Sequence, residues 1–262
     1  MRWPVPRLSR SADGFTSLTA FGNHLPVASP TYPEDSLQYY CEPWWIRAAD
    51  QQLRRGRLIW AFVPHVDQQP YVLIAKGRSE PTEHGTADFV VEPLQSHRLP
   101  VGTDLPVAGL PQYSGEVRLV QRAKRRPALV LGTGGTEIPK ALRTGAARYQ
   151  TNPTVLAAPY YGADLGGKTG GWRPDFVERI RRCEYPQYMW DSLPLSGRRE
   201  SILRLDHLQP VGKHGQSFEL TDYELHGDAL AMVDEYLTCL LQRQLPADSL
   251  LLEIRGTLLG TQ

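Results

Sequence analysis

The sequence predicts a mainly β protein of the α+β class, built as a barrel or a sandwich. Seven short apolar stretches with β-branched and aromatic residues follow one another along the chain, separated by turn signals. Glycine (23 residues) and proline (22 residues) are frequent enough to supply many tight turns. A length of 262 residues with 41% hydrophobic content allows a sizeable core. Because the predicted strands outnumber the predicted helices, we expect sheets to dominate the architecture.

The N-terminal 54 residues are predicted to form an arm followed by a short helix. Residues 1–36 are rich in proline, serine and glycine, so we expect an arm without its own core that lies against a domain or a partner. The aromatic pairs Tyr39-Tyr40 and Trp44-Trp45 follow the arm. Docking of these rings into the core is the favoured interpretation. A protein-interaction patch is the alternative, because aromatic residues are enriched at the centres of interfaces.

Seven strands are predicted from residue 55 onward, because each stretch is a compact apolar run between glycine, proline or polar residues. The predicted strands span residues 55–64, 69–78, 87–94, 115–122, 125–135, 151–162 and 200–212. This succession of short strands is typical of closed or paired sheets, in which each strand buries one face.

Two helices interrupt the predicted strands. The first spans residues 172–186, with Pro174 near its start, apolar residues on one face and arginines on the other. The second follows Thr221 and Glu224, whose spacing matches a capping box, and continues with leucines at three- and four-residue spacing. The C-terminal tail, residues 247–262, is predicted to add one more strand.

Charge and cysteine content exclude several classes of protein. Lys and Arg number 29 and Asp and Glu number 28, so the net charge of +1 provides no general attraction to nucleic acid or to an anionic membrane. Three separated cysteines without a CxxC pair argue against a zinc site and against a disulfide-rich secreted scaffold. The sequence has neither an apolar run of about 18 residues nor the apolar core of a signal peptide. We therefore expect a cytoplasmic protein with no membrane association.

Four segments occur in a distinctive order: RGRLIWA, KRRPALVLG, TVLAAPYYG and SILRLDHLQPVG, followed by a terminal helix. This order resembles the MazF/PemK family of toxin endoribonucleases, over residues 55–64 and 124–243. The resemblance implies an SH3-like barrel, usually a homodimer, that cleaves single-stranded RNA without a metal ion or cofactor. An antitoxin or the subunits of a larger complex are the protein partners that it implies.

The resemblance also defines a domain organisation. It places an enlarged MazF/PemK-type barrel in residues 55–246, with insertions at residues 65–123 and 163–199 and a tail at residues 247–262. The second insertion carries the basic helix and the segment EYPQYMW. Insertions of this kind build a substrate-specificity surface or a docking surface for partner subunits.

Arg126 stands at the position of the family's catalytic arginine. Cleavage by the 2′-hydroxyl of RNA needs a proton acceptor, a proton donor and fixed positive charge for the phosphorane. Arginine suits the last role, because its planar guanidinium binds two phosphate oxygens and stays charged. Arg122, Lys124 and Arg125 would add a positive edge that attracts the RNA backbone. Alternatively, these residues form a solvated basic turn at a strand edge.

Tyr161 stands where the family has its second catalytic residue, a threonine. Tyrosine donates hydrogen bonds, but its ordinary pKa of about 10 makes it a slow base at neutral pH. Tyr160 and Tyr161 would instead stack on unpaired RNA bases, or they would only cover the mouth of the barrel. The departure from threonine favours RNA binding over RNA cleavage.

Two further segments carry candidate residues. Asp206 and His207 are adjacent, which suggests an acid–base pair, but neighbouring strand residues point to opposite faces unless a bulge intervenes. Lys168 lies in a glycine-rich segment that lacks the spacing of a phosphate-binding loop. We predict that this lysine borders an RNA-binding groove.

Two functions follow from the sequence. The first is a metal-independent endoribonuclease, a toxin or defence nuclease for single-stranded RNA, with Arg126 and Tyr161 as its catalytic residues. The second is a catalytically inactive barrel that serves as an adaptor or nucleic-acid-binding subunit of a multi-protein complex. Convergence of Arg126, Arg125 and Tyr161 on one concave surface is the sharpest structural test of the first function, which depends above all on Arg126 and Tyr161 facing a shared groove.

Overall fold

The computed structural model describes residues 32–95, 97, 107–111, 113, 115–163, 171–196 and 198–260. Within these ranges the chain is mainly β, and eight strands form a nearly closed, antiparallel, barrel-like sheet. The prediction of a mainly β protein with a barrel-like sheet is therefore confirmed.

The barrel-like sheet collects strands from the whole chain. Its members are β1 (Trp45–Arg47), β2 (Arg57–Pro64), β6 (Ala123–Gly132), β7 (Val155–Gly162), β8 (Tyr188–Leu195), β9 (Arg198–Arg204), β10 (Gln209–Val211) and β11 (Phe218–Leu225). The spatial order is β1-β11-β2-β6-β7-β9-β8, and β10 pairs with β7. All of these pairings are antiparallel.

A second, three-stranded sheet is formed by strands between residues 71 and 120. Its strands are β3 (Tyr71–Gly77), β4 (Asp88–Pro93) and β5 (Arg118–Val120), in the order β4-β3-β5. The central strand β3 pairs antiparallel with both neighbours. These strands lie within the three stretches that their apolar runs predicted.

Helices lie between and after the strands. They are α1 (Lys140–Arg143), α2 (Arg148–Thr151), α3 (Pro174–Arg181), α4 (Gly227–Gln242) and α5 (Leu250–Leu259), with 3-10 helices at Leu37–Tyr40 and Leu205–His207. In the part of the chain that the structure describes, no helix combines the length and the apolar character needed to cross a bilayer.

The predicted capping box is wrong, because Thr221 and Glu224 lie in β11 and not at a helix start. The Thr221 hydroxyl donates to the Leu58 carbonyl at 2.7 Å, and Glu224 accepts from Arg54 Nε at 2.6 Å. Both side chains are thus occupied by long-range partners. Helix α4 begins only at Gly227, with His226 as its N-cap.

Two further predictions for the C-terminal half are corrected. The tail forms α5 and not a strand, with the Ser249 hydroxyl accepting from the Leu252 amide at 3.1 Å and with Leu251 and Ile254 buried three residues apart. The predicted strand over residues 200–212 is divided into β9, a 3-10 helix and β10.

The chain from Tyr32 onward is part of the main core, so the predicted arm does not extend through residue 36. Tyr32 and Leu37 are 2% and 1% exposed. Trp44 and Trp45 are buried, which confirms the docking interpretation for this pair. Tyr39 and Tyr40 remain exposed, in the 3-10 helix that stands in place of the predicted helix. Residues 1–31 lie outside the described ranges.

The barrel-like sheet has a hydrophobic core on each face. The larger core joins Leu58, Leu129 and Tyr160 to the buried sides of α3, α4 and α5. The smaller core is formed by Ile59, Ala61, Ala128, Val130, Val155, Ala157 and Val211. Because side chains alternate along a strand, neighbouring residues on β6 or β7 belong to different faces. This alternation determines which of the predicted site residues come together.

Candidate functional site

Arg126 and Tyr161 lie side by side on adjacent strands. The register of β6 with β7 pairs Ala128 with Pro159, and two residues further along the same face it brings Arg126 opposite Tyr161. The guanidinium carbon of Arg126 lies 4.0 Å from the centroid of the Tyr161 ring, which is a cation–π contact. The two residues predicted as catalytic therefore share one surface.

The 3-10 helix after β9 brings a histidine to the same phenol. Tyr161 Oη lies 2.9 Å from His207 Nδ1, and Arg204 Nη2 lies 2.7 Å from His207 Nε2. Since a guanidinium can only donate, Nε2 accepts from Arg204 and the neutral ring carries its proton on Nδ1. That proton is donated to Tyr161 Oη, so the phenolic O–H remains available to donate to another group.

Asp206 and His207 both reach Arg204, in contrast to the expectation for neighbouring strand residues. Arg204 donates to Asp206 Oδ1 at 2.7 Å through Nε and to Oδ2 at 2.6 Å through Nη2. The physical reason is that Leu205–His207 is a 3-10 helix, which curls the chain around the arginine. Sequence analysis identified the Asp-His pair but missed Arg204. The signal available for this arginine was its position two residues before an aspartate.

Burial and charge set the protonation of the cluster. Burial raises the pKa of Tyr161 above its ordinary value, while the Arg126 and Arg204 charges partly oppose the rise. Burial, assisted by the Arg204 charge, lowers the pKa of His207. At neutral pH the phenol is therefore protonated and the imidazole is neutral.

The cluster of Arg126, Tyr161, Arg204 and His207 presents convergent hydrogen-bond donors. The two guanidinium groups lie 4.0 and 5.7 Å from the Tyr161 ring centroid. All four side chains are half-buried, so the charges of the two arginines are less screened than charges in open solvent. Such an arrangement suits an anion with several oxygen acceptors, of which a phosphodiester is the main biological example. Within the described ranges, no group of three or more His, Cys, Asp or Glu side chains is placed to hold a metal ion.

Arg125 does not join this cluster, so the prediction of one convergent surface for Arg125, Arg126 and Tyr161 is wrong. It points to the opposite face of β6, where its guanidinium carbon lies 4.5 Å from the Trp60 ring centroid. There its Nη2 forms an ion pair with Glu219. These residues line a separate pocket of about 310 Å³. The cause is strand alternation, which sends adjacent side chains to opposite faces.

The other predicted basic residues have different positions. Lys124 is exposed and lies two residues before Arg126, and hence on the same face of β6. Arg122 is exposed before the start of β6, where its carbonyl accepts from the His65 amide at 2.8 Å. Lys168 lies outside the described residues. The positive edge thus consists of Lys124 and Arg126 on the side of Tyr161.

The base-stacking prediction for Tyr160 is wrong. Tyr160 is 0% exposed, and its hydroxyl donates to Asp191 Oδ2 at 2.9 Å. The indole N–H groups of Trp44 and Trp45 also donate to the Asp191 carboxylate, at 3.3 and 3.2 Å. Tyr160 therefore belongs to a buried polar network that joins β1, β7 and β8.

Comparison with known proteins does not assign a function to this cluster. No protein-family model matches the chain, and neither does any curated protein.

Proposed function

We propose that the protein is a metal-independent endoribonuclease that acts on single-stranded RNA at the cluster of Arg126, Tyr161, Arg204 and His207. One observation carries this proposal: Arg126 lies 4.0 Å from the ring of Tyr161, whose hydroxyl lies 2.9 Å from His207. The order of sequence segments that resembles the MazF/PemK family supports the same role for Arg126. A phosphate clamp and a proton-transfer pair are thus adjacent.

The scissile phosphodiester is held by the two arginines. Arg126 and Arg204 donate to its non-bridging oxygens, and the Tyr161 hydroxyl donates to the oxygen that will leave. Lys124, on the same face of β6, attracts the neighbouring phosphates. Fixed positive charge at this position stabilises the phosphorane more than the ground state, because negative charge accumulates on the equatorial oxygens.

The chemical step transfers one proton through the cluster. The RNA 2′-oxygen attacks the adjacent phosphorus, and the bond from phosphorus to the 5′-oxygen breaks. His207 accepts the 2′-hydroxyl proton at Nε2 after Arg204 has turned toward the phosphate. The Nδ1 proton of His207 passes to Tyr161, and the Tyr161 hydroxyl proton passes to the leaving oxygen. The products are a 2′,3′-cyclic phosphate and a 5′-hydroxyl, with no net gain or loss of protons.

This route resolves the objection that tyrosine is a slow base. Tyr161 loses one proton as it gains another, so it never has to carry a full negative charge despite its raised pKa. The lowered pKa of His207 keeps the imidazole neutral, and hence able to accept a proton, at neutral pH.

The test is RNA cleavage in the presence of a chelator. We expect the purified protein to cut single-stranded RNA and leave cyclic phosphate ends, and Arg126→Ala to abolish the cut without changing the melting temperature. Arg125→Ala is the matched control, because it removes the adjacent guanidinium from the opposite face. Equal loss of cleavage in both variants, or no cleavage by the wild type, contradicts the proposal.

A second candidate function is RNA binding without cleavage, as a subunit of a larger complex. The observation that favours it is the 2.7 Å contact between Arg204 Nη2 and His207 Nε2, which occupies the atom that would accept the proton. In that case the wild type binds single-stranded RNA but leaves it intact. Binding still depends on Arg126, so a gel-shift assay of the same variants separates the two functions.

A further inference from the structure

Four aromatic side chains extend from the Arg126–Tyr161 cluster onto the second insertion. Trp172 precedes α3, Phe176 lies within it, Tyr185 follows it and Tyr188 begins β8. Each of the four packs against the main core but is only half-buried, whereas core rings such as Trp44 are fully buried. We call this group the aromatic platform.

The rings of the aromatic platform are held by one another. Trp172 and Phe176 are stacked, with centroids 5.7 Å apart and planes inclined by 20°. Tyr188 meets both rings edge-on, at 5.9 and 5.8 Å, and Tyr185 lies 5.2 Å from Phe176. Such offset and edge-to-face contacts fix ring orientations. The platform is therefore a pre-ordered surface, which lowers the entropic cost of binding a planar ligand.

Arginines alternate with these aromatic rings. The guanidinium carbon of Arg204 lies 5.7 Å from the Tyr161 ring centroid and 4.9 Å from the Tyr188 ring centroid, so one cation joins the phosphate cluster to the platform. At the other side the guanidinium carbon of Arg179 lies 5.0 Å from the Tyr185 ring centroid, and its Nε donates to Glu184 at 2.7 Å. A continuous path thus runs from Arg126 through Tyr161, Arg204 and Tyr188 to Trp172.

We propose that the aromatic platform binds unpaired nucleobases of single-stranded RNA, next to the phosphate held by Arg126 and Arg204. This inference rests on the proposed function and defines how the substrate lies on the protein. Rings supply stacking surfaces for successive bases, and interleaved arginines follow the phosphate backbone. Since every base has a stacking face, the platform accepts any base and selects for the unpaired state. The second insertion is then the element that makes the site selective for single strands.

The experiment compares two hexanucleotides by fluorescence anisotropy. Both are 2′-O-methylated, so that they cannot be cleaved, and one lacks its bases. We expect the wild type to bind the base-containing oligomer about tenfold more tightly than the abasic one. Trp172→Leu should bind both alike, whereas Trp172→Phe should keep most of the preference. Trp60→Leu, on the opposite face of the sheet beside Arg125, is the matched control and should keep all of it.

The outcomes separate the inference from the proposed function. If Trp172→Leu melts like the wild type and retains the preference for bases, the platform does not bind them, while the phosphate site can still depend on Arg126. If Trp172→Leu melts early, the Tyr188→Leu variant replaces it in this comparison, and retained preference for bases in Tyr188→Leu overturns the inference. If the wild type binds neither oligomer, or if Arg126→Ala binds them as tightly as the wild type does, the proposed function fails.

Discussion

Tyr160 and Tyr161 are neighbours of the same residue type on one strand, yet their surroundings are opposite. Tyr160 is fully buried and donates to a buried carboxylate at 2.9 Å. Tyr161 is half-buried, stacks under Arg126 and contacts His207. Arg125 and Arg126 likewise lie on opposite faces of β6, although here the residue away from the site, Arg125, is the more exposed of the two. A strand therefore assigns adjacent residues to stability and to the site in alternation, and a run of similar residues in the sequence does not mark one shared surface.

The largest expected effect concerns the buried side of the strand. Asp191 accepts the hydrogen bond of Tyr160, and we expect it to make the free energy of unfolding depend on pH. Its carboxyl is buried, and burial raises its pKa from 3.8 to about 7, although four hydrogen bonds oppose the rise. A raised folded-state pKa means that its contribution to stability is complete below pH 3.8 and is lost as the pH rises to about 7. The free energy of unfolding of the wild type relative to Asp191→Asn should fall by about 4 kcal/mol across this window.

Urea unfolding at several pH values measures this difference. The Asp191→Asn variant is the reference, because its amide does not titrate and the other carboxylates cancel in the comparison. A difference that stays constant between pH 4 and pH 7, or that rises, would show that Asp191 is charged in the fold at all of these pH values.

Tyr161→Phe tests the face of β7 that belongs to the candidate site. The substitution keeps the ring under Arg126 but removes the hydroxyl that, in the proposed function, donates to the leaving oxygen. We expect the cleavage rate to fall about a hundredfold or more, with RNA affinity and melting temperature little changed. Single-turnover kinetics measure the rate. Cleavage at the wild-type rate would exclude Tyr161 from proton transfer.

Tyr160→Phe makes the same chemical change one residue earlier, on the face of β7 that contributes to stability. It removes one donor from the buried Asp191 carboxylate, so we expect a loss of about 2 kcal/mol in the free energy of unfolding. RNA cleavage at a temperature well below unfolding should remain at the wild-type rate. Were cleavage to fall as in Tyr161→Phe, the two faces of the strand would not be functionally separate.

Lys124→Ala should give the smallest effect. Lys124 is exposed on the same face as Arg126, where it would contact a neighbouring phosphate. We expect RNA affinity to fall a few-fold, and the slope of log affinity against log salt to decrease in magnitude by about 0.7. Anisotropy titrations at several salt concentrations measure both. An unchanged slope would place Lys124 outside the RNA path.

Local patterns predicted much of the fold, because apolar runs between turn residues are properties of neighbouring residues. They predicted β2, β3, β4, β6 and β7, and through the family resemblance they also brought Arg126 and Tyr161 together. They failed where distant partners decide the structure. Thr221 has the spacing of a capping box, but its hydroxyl bonds to the Leu58 carbonyl on another strand. The sequence around Thr221 gives no indication of this contact, because Leu58 lies 163 residues away.

The site was predicted less completely, because its geometry depends on one short irregular segment. Arg204 ends β9 opposite Tyr188, and the 3-10 helix Leu205–His207 that follows brings Asp206 and His207 to the same guanidinium. From the sequence this segment is indistinguishable from the strand before it. The separation of Arg125 from Arg126 was in principle predictable, since it follows from alternation alone.

The pairing of Arg204 with Asp206 has a consequence for how anions compete at this surface. The aspartate holds both Nε and Nη2 of the arginine, at 2.7 and 2.6 Å. In the proposed function, a phosphate that takes over Nε or Nη2 of Arg204 replaces an internal carboxylate, so its binding there is an exchange of one anion for another. A small anion gains little from such an exchange. A polymer that engages several cations at once gains at each of them, so in the proposed function this ion pair would favour RNA over free nucleotides and inorganic phosphate.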